Sequence, residues 1–245
     1  MKIIAVIPAR YQASRFPGKL MQLLGDSTVI VHTYQNVVAT KLFSEVIVAT
    51  DNDSIQKEIE AIGGQVFRSK KNHECGSDRI AEAVLYNSAD LVVNIQGDEP
   101  FLNHSSLMTL LNAFGSDFEN KIDLASLMIP LFDKEEIENP NNVKVIVDQD
   151  NFALYFSRSP IPYYRATDVS KSYHKHIGVY AFRRKALIDF SKSQITPLER
   201  AEKIECIRYL EKGKKMKMVL SHQSSIGIDT PEDLVKAQKF LNNMS

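Results

Sequence analysis

The sequence has no tryptophan and only two cysteines in 245 residues. Cys75 and Cys206 lack the paired spacing of a metal site, and so sparse a content fits a reducing compartment rather than a disulfide framework. Neither sign of charge is in excess: Lys plus Arg and Asp plus Glu number 30 each. That argues against the broad basic surface of a nucleic-acid or membrane-surface binder, so any positive field must be local. No apolar run approaches the length of a membrane span. Lys2 leads straight into an apolar run too short for the core of a signal peptide. The expectation is a cytoplasmic protein with no nucleic-acid and no membrane partner. The common phosphate motifs are missing too. There is no GxGxxG, and Gly18-Lys19 is followed by Leu20 with no glycine five residues earlier.

What is present is ordinary in bulk, 44% hydrophobic and 24% charged, and informative in order. The chain opens on IIAVIPARYQASRFPGK, Ile3 to Lys19. Ile3 to Ile7, ended by Pro8, reads as a strand buried on both faces. It delivers Arg10, Arg15 and Lys19 into a loop broken by Pro17 and Gly18. In open α/β sheets ligands bind beyond the carboxyl ends of the strands, so this loop is a candidate anion site that works through side-chain cations. Arg offers a planar fork to phosphate oxygens and Lys a movable point charge.

Strand-like runs and helix-period segments then alternate. Thr28 to Ala39 predicts a helix, Glu45 to Ala49 a buried strand, and Ser54 to Ile62 a helix ended by Gly63-Gly64. Gln65 to Phe67 is a short strand. Ser77 to Tyr86 is a helix that Ser77 could cap. Asp90 to Ile95 is another buried strand, with a helix near Ser105 to Phe114. This alternation predicts an α/β fold: a doubly wound, mostly parallel sheet with helices on both faces. The second half reads as a mixed antiparallel extension. Strands are expected at Leu124 to Pro130, His176 to Phe182 and Lys215 to Leu220. A hairpin is expected over Val143 to Ser157, turning at Asp148-Gln149-Asp150-Asn151. Residues 163–175 form a polar stretch with no period, a candidate mobile lid. Pro197 to Glu211 predicts a helix with Pro197 in its first turn. Pro231 to Leu241 predicts the closing helix, capped by Thr230. The organisation expected is a single domain, 1–245, with 1–125 as a nucleotide-binding half and 126–245 as a sugar-binding and dimerisation half.

Two carboxylates stand at informative places. Asp98 lies in Asn94-Ile95-Gln96-Gly97-Asp98-Glu99-Pro100, at the carboxyl end of a buried strand, the same kind of edge as the Arg10 loop. Asp229, in Gly227-Ile228-Asp229-Thr230-Pro231, precedes the closing helix, where the same residues also make a good helix start. A pair of carboxylates can hold Mg²⁺ against phosphate oxygens.

IPARYQASRFPGK resembles the N-terminal signature of the 3-deoxy-manno-octulosonate (KDO) cytidylyltransferases. Further blocks stand in the family's order: VATD (Val48 to Asp51), GSDRIAEA (Gly76 to Ala83), NIQGDEP (Asn94 to Pro100), NPNNVKVI (Asn139 to Ile146), ALYFSR (Ala153 to Arg158), HIGVY (His176 to Tyr180), PLERAEKIE (Pro197 to Glu205) and GIDTPEDL (Gly227 to Leu234). The resemblance implies transfer of CMP from CTP to KDO with release of pyrophosphate, Mg²⁺ dependence, a homodimer, and service to lipopolysaccharide synthesis. It places Arg10, Arg15 and Lys19 on the triphosphate, Asp98 and Asp229 on Mg²⁺, and Gln96 with Ser77 and Arg79 on the cytosine and ribose. It places Arg158, His176, Tyr180 and Glu205 on the sugar, with Arg158 on its carboxylate. The general base stays open between His176 and a metal-bound sugar hydroxyl. One departure stands out: Cys206 follows Glu205 where the family commonly has Gln. This leaves open another 2-keto acid sugar, such as an 8-amino analogue of KDO or a sialic acid. A nucleotide-binding module without turnover is the alternative from another class.

Overall fold

The computed structural model describes residues 1–12, 16–71, 73, 76–221 and 226–244. They fall into two compact units: Met1–Leu107 with Ser225–Ser245, and Met108–Ser224.

The first unit is built on β1 (Ile3–Ala9), which is buried from Ile4 onward. After β1 come a short hairpin of β2 (Leu23–Leu24) and β3 (Ser27–Thr28), helix α1 (Val29–Ala39), β4 (Glu45–Thr50), α2 (Asp53–Ala61), β5 (Gln65–Arg68), α3 (Gly76–Ala83) and β6 (Leu91–Asn94). The order β6-β1-β4-β5 is parallel throughout. Runs such as IIAV and LVVN have no polar face to turn to water, so a strand made of them is stable only inside such a sheet.

β1 runs through Pro8 rather than ending before it. The reason is local. Val6 accepts a hydrogen bond from Ile95 N, so it faces β6. Pro8, two residues on, faces the same side, where β6 has already ended at Asn94. A proline's missing N–H costs nothing where no ladder bond is due. Ser77 is the other revision. It lies inside α3, not ahead of it as a cap.

Helix α4 (His104–Gly115) carries the chain across the boundary between the units. The second unit then contains β7 (Leu124–Leu131), α5 (Lys134–Glu138), β8 (Lys144–Val147), β9 (Ala153–Ser157), β10 (Tyr173–Arg183), α6 (Arg184–Ser191), α7 (Pro197–Glu202), α8 (Ile207–Glu211) and β11 (Met216–Leu220). β11 is parallel to β7, whereas β7-β10, β10-β8 and β8-β9 are antiparallel. The expected hairpin is β8-β9. Asp148 closes its turn by accepting from Asp150 N and Phe152 N, with Asn151 at φ 57°. β10 begins at Tyr173, so the last residues of the expected lid, Tyr173 to Lys175, are already paired to Leu131, Pro130 and Ile129 of β7.

The single helix expected over Pro197 to Glu211 is two helices. Lys203 adopts a left-handed conformation (φ 55°) that ends α7, and α8 starts only at Ile207. Glu205 and Cys206 therefore sit in the turn between the two helices rather than on a helix face. Helix α9 (Pro231–Met244) closes the chain and belongs to the first unit. As expected, Thr230 caps it, its Oγ1 accepting from Asp233 N at 3.3 Å while Asp233 accepts from Thr230 N at 3.1 Å.

Candidate functional site

The carboxyl ends of β1, β4 and β6 deliver loops to one edge of the parallel sheet, and the segment before α9 joins them. After β1 the chain is held by Gly18 N donating to Tyr11 O at 2.9 Å. Gly18 sits at φ 70°, in the left-handed region that glycine enters without strain, and it starts the short turn Lys19–Met21. This turn carries Lys19 inward until its side chain is 13% exposed.

Lys19 Nζ donates to Asp98 Oδ2 and, at 2.9 Å, to Asp229 Oδ1. The two acidic loops are tied to each other as well: Ile228 N donates to Asp98 O at 2.9 Å. Gly97 is closely packed, since an added Cβ would lie 3.3 Å from Pro8 O and 3.1 Å from Ile30 Cδ1 and its neighbours would have to give way. Its carbonyl accepts from Thr33 Oγ1 of α1 at 2.8 Å, which fixes the turn that presents Asp98. Burial alone would push the Lys19 pKa down, but the two carboxylates outweigh it and the pKa is raised. Lys19 is thus a held cation between two anions.

Two cavities open at this edge. The smaller, about 260 Å³, is lined by Pro8, Arg10, Gln12, Lys19, Leu20, Gly76, Gln96, Gly97 and Asp98. The larger, about 480 Å³, shares Arg10 and Gln12 with it and adds Tyr11, Asp51, Asn52, His73 and Arg79. Arg79 is 2% exposed and reaches Asp51 Oδ2 through Nη2 at 2.7 Å. Burial works to raise the Asp51 pKa, but the guanidinium beside it prevails, so Asp51 stays below the usual carboxylate range. Ser77 is fully buried in α3 and lines neither cavity. Arg15 lies outside the described residues. Among the other first-unit candidates, Arg10, Lys19, Gln96, Asp98 and Asp229 meet at one edge.

Sequence reasoning passed over Asp51. Its signal was present: a carboxylate directly after a buried strand, the same placement that singled out Asp98.

The sugar-side candidates are in the second unit. His176 is buried in β10, with Nε2 2.9 Å from Ser126 Oγ and its ring 4.9 Å from Phe156. Burial lowers its pKa to about 3, so the imidazole is neutral near pH 7. A base of that strength is poorly matched to neutral pH. Tyr180 lies 5.4 Å from His176, ring to ring, and hydrogen-bonds to the buried Cys206. Burial first, then the neighbouring Cys206 and Glu205, push the Tyr180 hydroxyl well above its ordinary pKa. Arg158 donates from Nε to Glu202 O (2.7 Å), from Nη1 to Pro140 O (2.8 Å) and from Nη2 to Lys203 O (3.3 Å). Its fork is occupied by main chain, and binding a sugar carboxylate would require breaking those bonds. Glu205 is half-buried in the α7-α8 turn.

Among the described residues, no group of three or more His, Cys, Asp or Glu side chains converges on a point. Magnesium does not need one: it takes one or two carboxylates and fills its octahedron with water and phosphate oxygens. Asp98 and Asp229, already sharing one cation, fit that requirement. No helix of the described residues is long and apolar enough to cross a membrane.

Comparison with known proteins gives a consistent result. The sequence pattern of the family described as Cytidylyltransferase matches residues 4–216. A 3-deoxy-manno-octulosonate cytidylyltransferase of Christiangramia forsetii is 60% identical over 98% of this chain and 97% of its own. One of Flavobacterium johnsoniae is 56% identical over the whole of both chains. Among solved structures, CMP:2-keto-3-deoxy-manno-octonic acid synthetase complexed with CTP superposes with a TM-score of 0.93 at 34% identity, covering 100% of both chains.

Proposed function

Because the chain belongs to the 3-deoxy-manno-octulosonate cytidylyltransferase family, we propose that it transfers CMP from CTP to KDO, releasing pyrophosphate, in a pathway that supplies lipopolysaccharide. The observation that carries this reading is the meeting of Arg10, Lys19, Asp98 and Asp229 at the carboxyl ends of β1 and β6.

In this reading the anomeric hydroxyl attacks the α-phosphorus in line and the bond to the β-phosphate oxygen breaks. Little covalent chemistry is left to the protein, so positioning and charge neutralisation carry the rate. Arg10 and Arg15 hold the triphosphate. Lys19 turns from the carboxylates to the phosphates and meets the charge that grows on departing pyrophosphate. Asp98 and Asp229 would hold Mg²⁺, which would supply positive charge against the phosphates. Gln96 lines the smaller cavity, and its amide suits the cytosine and ribose. His176 keeps its proton count through the reaction and serves as a neutral hydrogen-bonding group. Glu205 has the chemistry for sugar hydroxyls. Cys206 is fully buried against Tyr180, which supports a packing role and leaves KDO as the sugar favoured. The working form is a homodimer in the cytoplasm.

Pyrophosphate release tests the reading. CTP with KDO should give turnover, and CTP with sialic acid or 8-amino-KDO should give far less. Turnover highest with one of the other keto-acid sugars would replace KDO. Tight CTP binding without pyrophosphate release from any sugar would replace the enzyme by a binding module.

A further inference from the structure

In the second unit one buried hydroxyl has more partners than protons. Strand β10 bulges against β7: Ile177 pairs with Leu127 and Tyr180 with Ser126, so Gly178 and Val179 have no opposite residue. A bulge takes residues out of the ladder, and their buried carbonyls then need another donor. Ser126 supplies it. The residue is fully buried, and its Oγ lies 2.9 Å from Ile177 O, 2.8 Å from Val179 O and 2.9 Å from His176 Nε2. The two carbonyls can only accept, and the hydroxyl has one proton. That proton is shared between the carbonyls, so the bond to the histidine runs the other way, from Nε2–H to Oγ. A neutral imidazole carries one N–H, and His176 is neutral near pH 7. With the proton on Nε2, Nδ1 is left as a bare acceptor. Nδ1 makes no hydrogen bond among the described residues, and 8% of the residue stays open to solvent. The rings of Phe156 and Tyr180, at 4.9 and 5.4 Å between centroids, hold the imidazole between them.

An atom that can only accept chooses its partner. A hydroxyl can donate to Nδ1, whereas a carboxylate has nothing to donate and its lone pairs are repelled. On the reading of the site given above, which sets His176 against the sugar, we infer that Ser126 is a positioning residue for the reaction: it fixes His176 as the Nε2–H tautomer, so that Nδ1 accepts from a sugar hydroxyl and turns the sugar carboxylate elsewhere. Ser126 touches no substrate. It acts through a ring fifty positions away in sequence, on the neighbouring strand, and the same hydroxyl that closes the bulge dictates which way that ring can bond.

Nitrogen resonance of the wild-type histidines reads the tautomer directly. The signals of His176 are those lost in His176→Gln or, if that variant does not fold, those with ring contacts to Phe156 and Tyr180. The expected result is a protonated, pyrrole-type Nε2 and an unprotonated, pyridine-type Nδ1, with the Nδ1 signal moving when KDO is added together with a non-hydrolysable CTP analogue. A protonated Nδ1 overturns the inference, as does an Nδ1 signal that KDO leaves unmoved in protein that turns KDO over. Kinetics test Ser126 itself. Ser126→Ala should mix the two tautomers and raise the KM for KDO roughly tenfold, the scale of one neutral hydrogen bond, with the KM for CTP unchanged. Ser126→Thr, which keeps the hydroxyl, should restore both the single tautomer and the KM. If Ser126→Ala melts lower yet keeps one His176 tautomer and the wild-type KM for KDO, Ser126 serves only the bulge and the inference falls. Should Ser126→Ala not fold, the wild-type signals decide alone. Wild-type protein with the expected tautomer that fails to turn over CTP with KDO would instead overturn the functional reading on which this rests.

Discussion

Two arginines, each 2% exposed, show how the two units differ. Arg208, in the second unit, donates from Nε and Nη2 to Glu199 at 2.6 and 2.5 Å and from Nη1 to Ser193 O at 3.3 Å, and its guanidinium lies 4.1 Å over the Phe190 ring. Arg79, in the first, engages Asp51 through one nitrogen and leaves two buried ones unmatched among the described residues. Charge in the second unit is closed on itself. Lys144, fully buried, gives its ammonium to the carbonyls of Asn139 and Asn142, and its pKa falls, from burial first and from Arg158 second. Arg158 is likewise held by main-chain carbonyls. Charge in the first unit is held but open: Lys19 is pinned by Asp98, which lines a cavity, and by Asp229, which is 48% exposed. A buried ion with its donors matched does structural work, and one whose buried donors lack partners calls for a further acceptor.

The sharpest way to break this contrast is to cut each pair. Glu199→Ala leaves Arg208 charged, buried and unmatched, and should cost about 3–5 kcal/mol of stability. Arg79→Met should change stability by no more than about 1 kcal/mol, because Asp51 is partly solvated, while CTP binding is lost. Denaturant unfolding of both variants checks this, and equal destabilisation would erase the distinction.

Next in size are the carboxylates. Asp98→Asn and Asp229→Asn should each lower turnover roughly 10²–10³-fold with no change in the melting temperature, since Asp98 lines a cavity and Asp229 is half exposed, and neither closes a buried network. A variant that melts well below the wild type would place that residue with the structural set.

A third effect belongs to His176. Its folded pKa, about 3, lies below the unfolded value near 6.5. The folded state therefore resists a proton that the unfolded chain accepts. Stability should fall as pH drops below about 6.5, by about 1.4 kcal/mol per pH unit at most, until about pH 3. His176→Gln should flatten that slope and leave the pH dependence of turnover near neutrality unmoved. A neutral-pH limb of the rate profile that vanishes in His176→Gln would contradict the closed, uncharged histidine.

The smallest effect concerns Lys19. Lys19→Met removes the resident cation from Asp98 and Asp229, so Mn²⁺ followed by electron resonance without nucleotide should bind more tightly, roughly fivefold if the half-exposed pair is worth about 1 kcal/mol. Turnover should fall in the same variant. Weaker Mn²⁺ binding would argue that the two carboxylates do not form a shared cation site.

The parallel strands of the first unit were legible because runs such as IIAVI and LVVN carry their burial on their face. Arg10, Lys19 and Asp98 were legible because each follows such a strand. The closing helix was readable from its own cap. Three things were not. The break at Lys203 has no glycine or proline to announce it, so Glu205 and Cys206 were read onto a helix. Helix α6 has a short, interrupted apolar stripe, Ala186, Leu187 and Phe190, among charges, and was not anticipated. Asp51 follows a buried strand as Asp98 does, but its pairing with Arg79 of α3, a contact across 28 positions, is recorded by no local pattern.

The central claim is that this chain joins CMP to KDO. Phosphorus resonance of a mixture of protein, Mg²⁺, CTP and KDO tests it directly. The account predicts that the triphosphate signals give way to pyrophosphate and one new phosphodiester signal, only when both substrates are present, and not with Asp98→Asn. CTP signals that persist unchanged beside KDO, or pyrophosphate that appears with CMP alone, would contradict it.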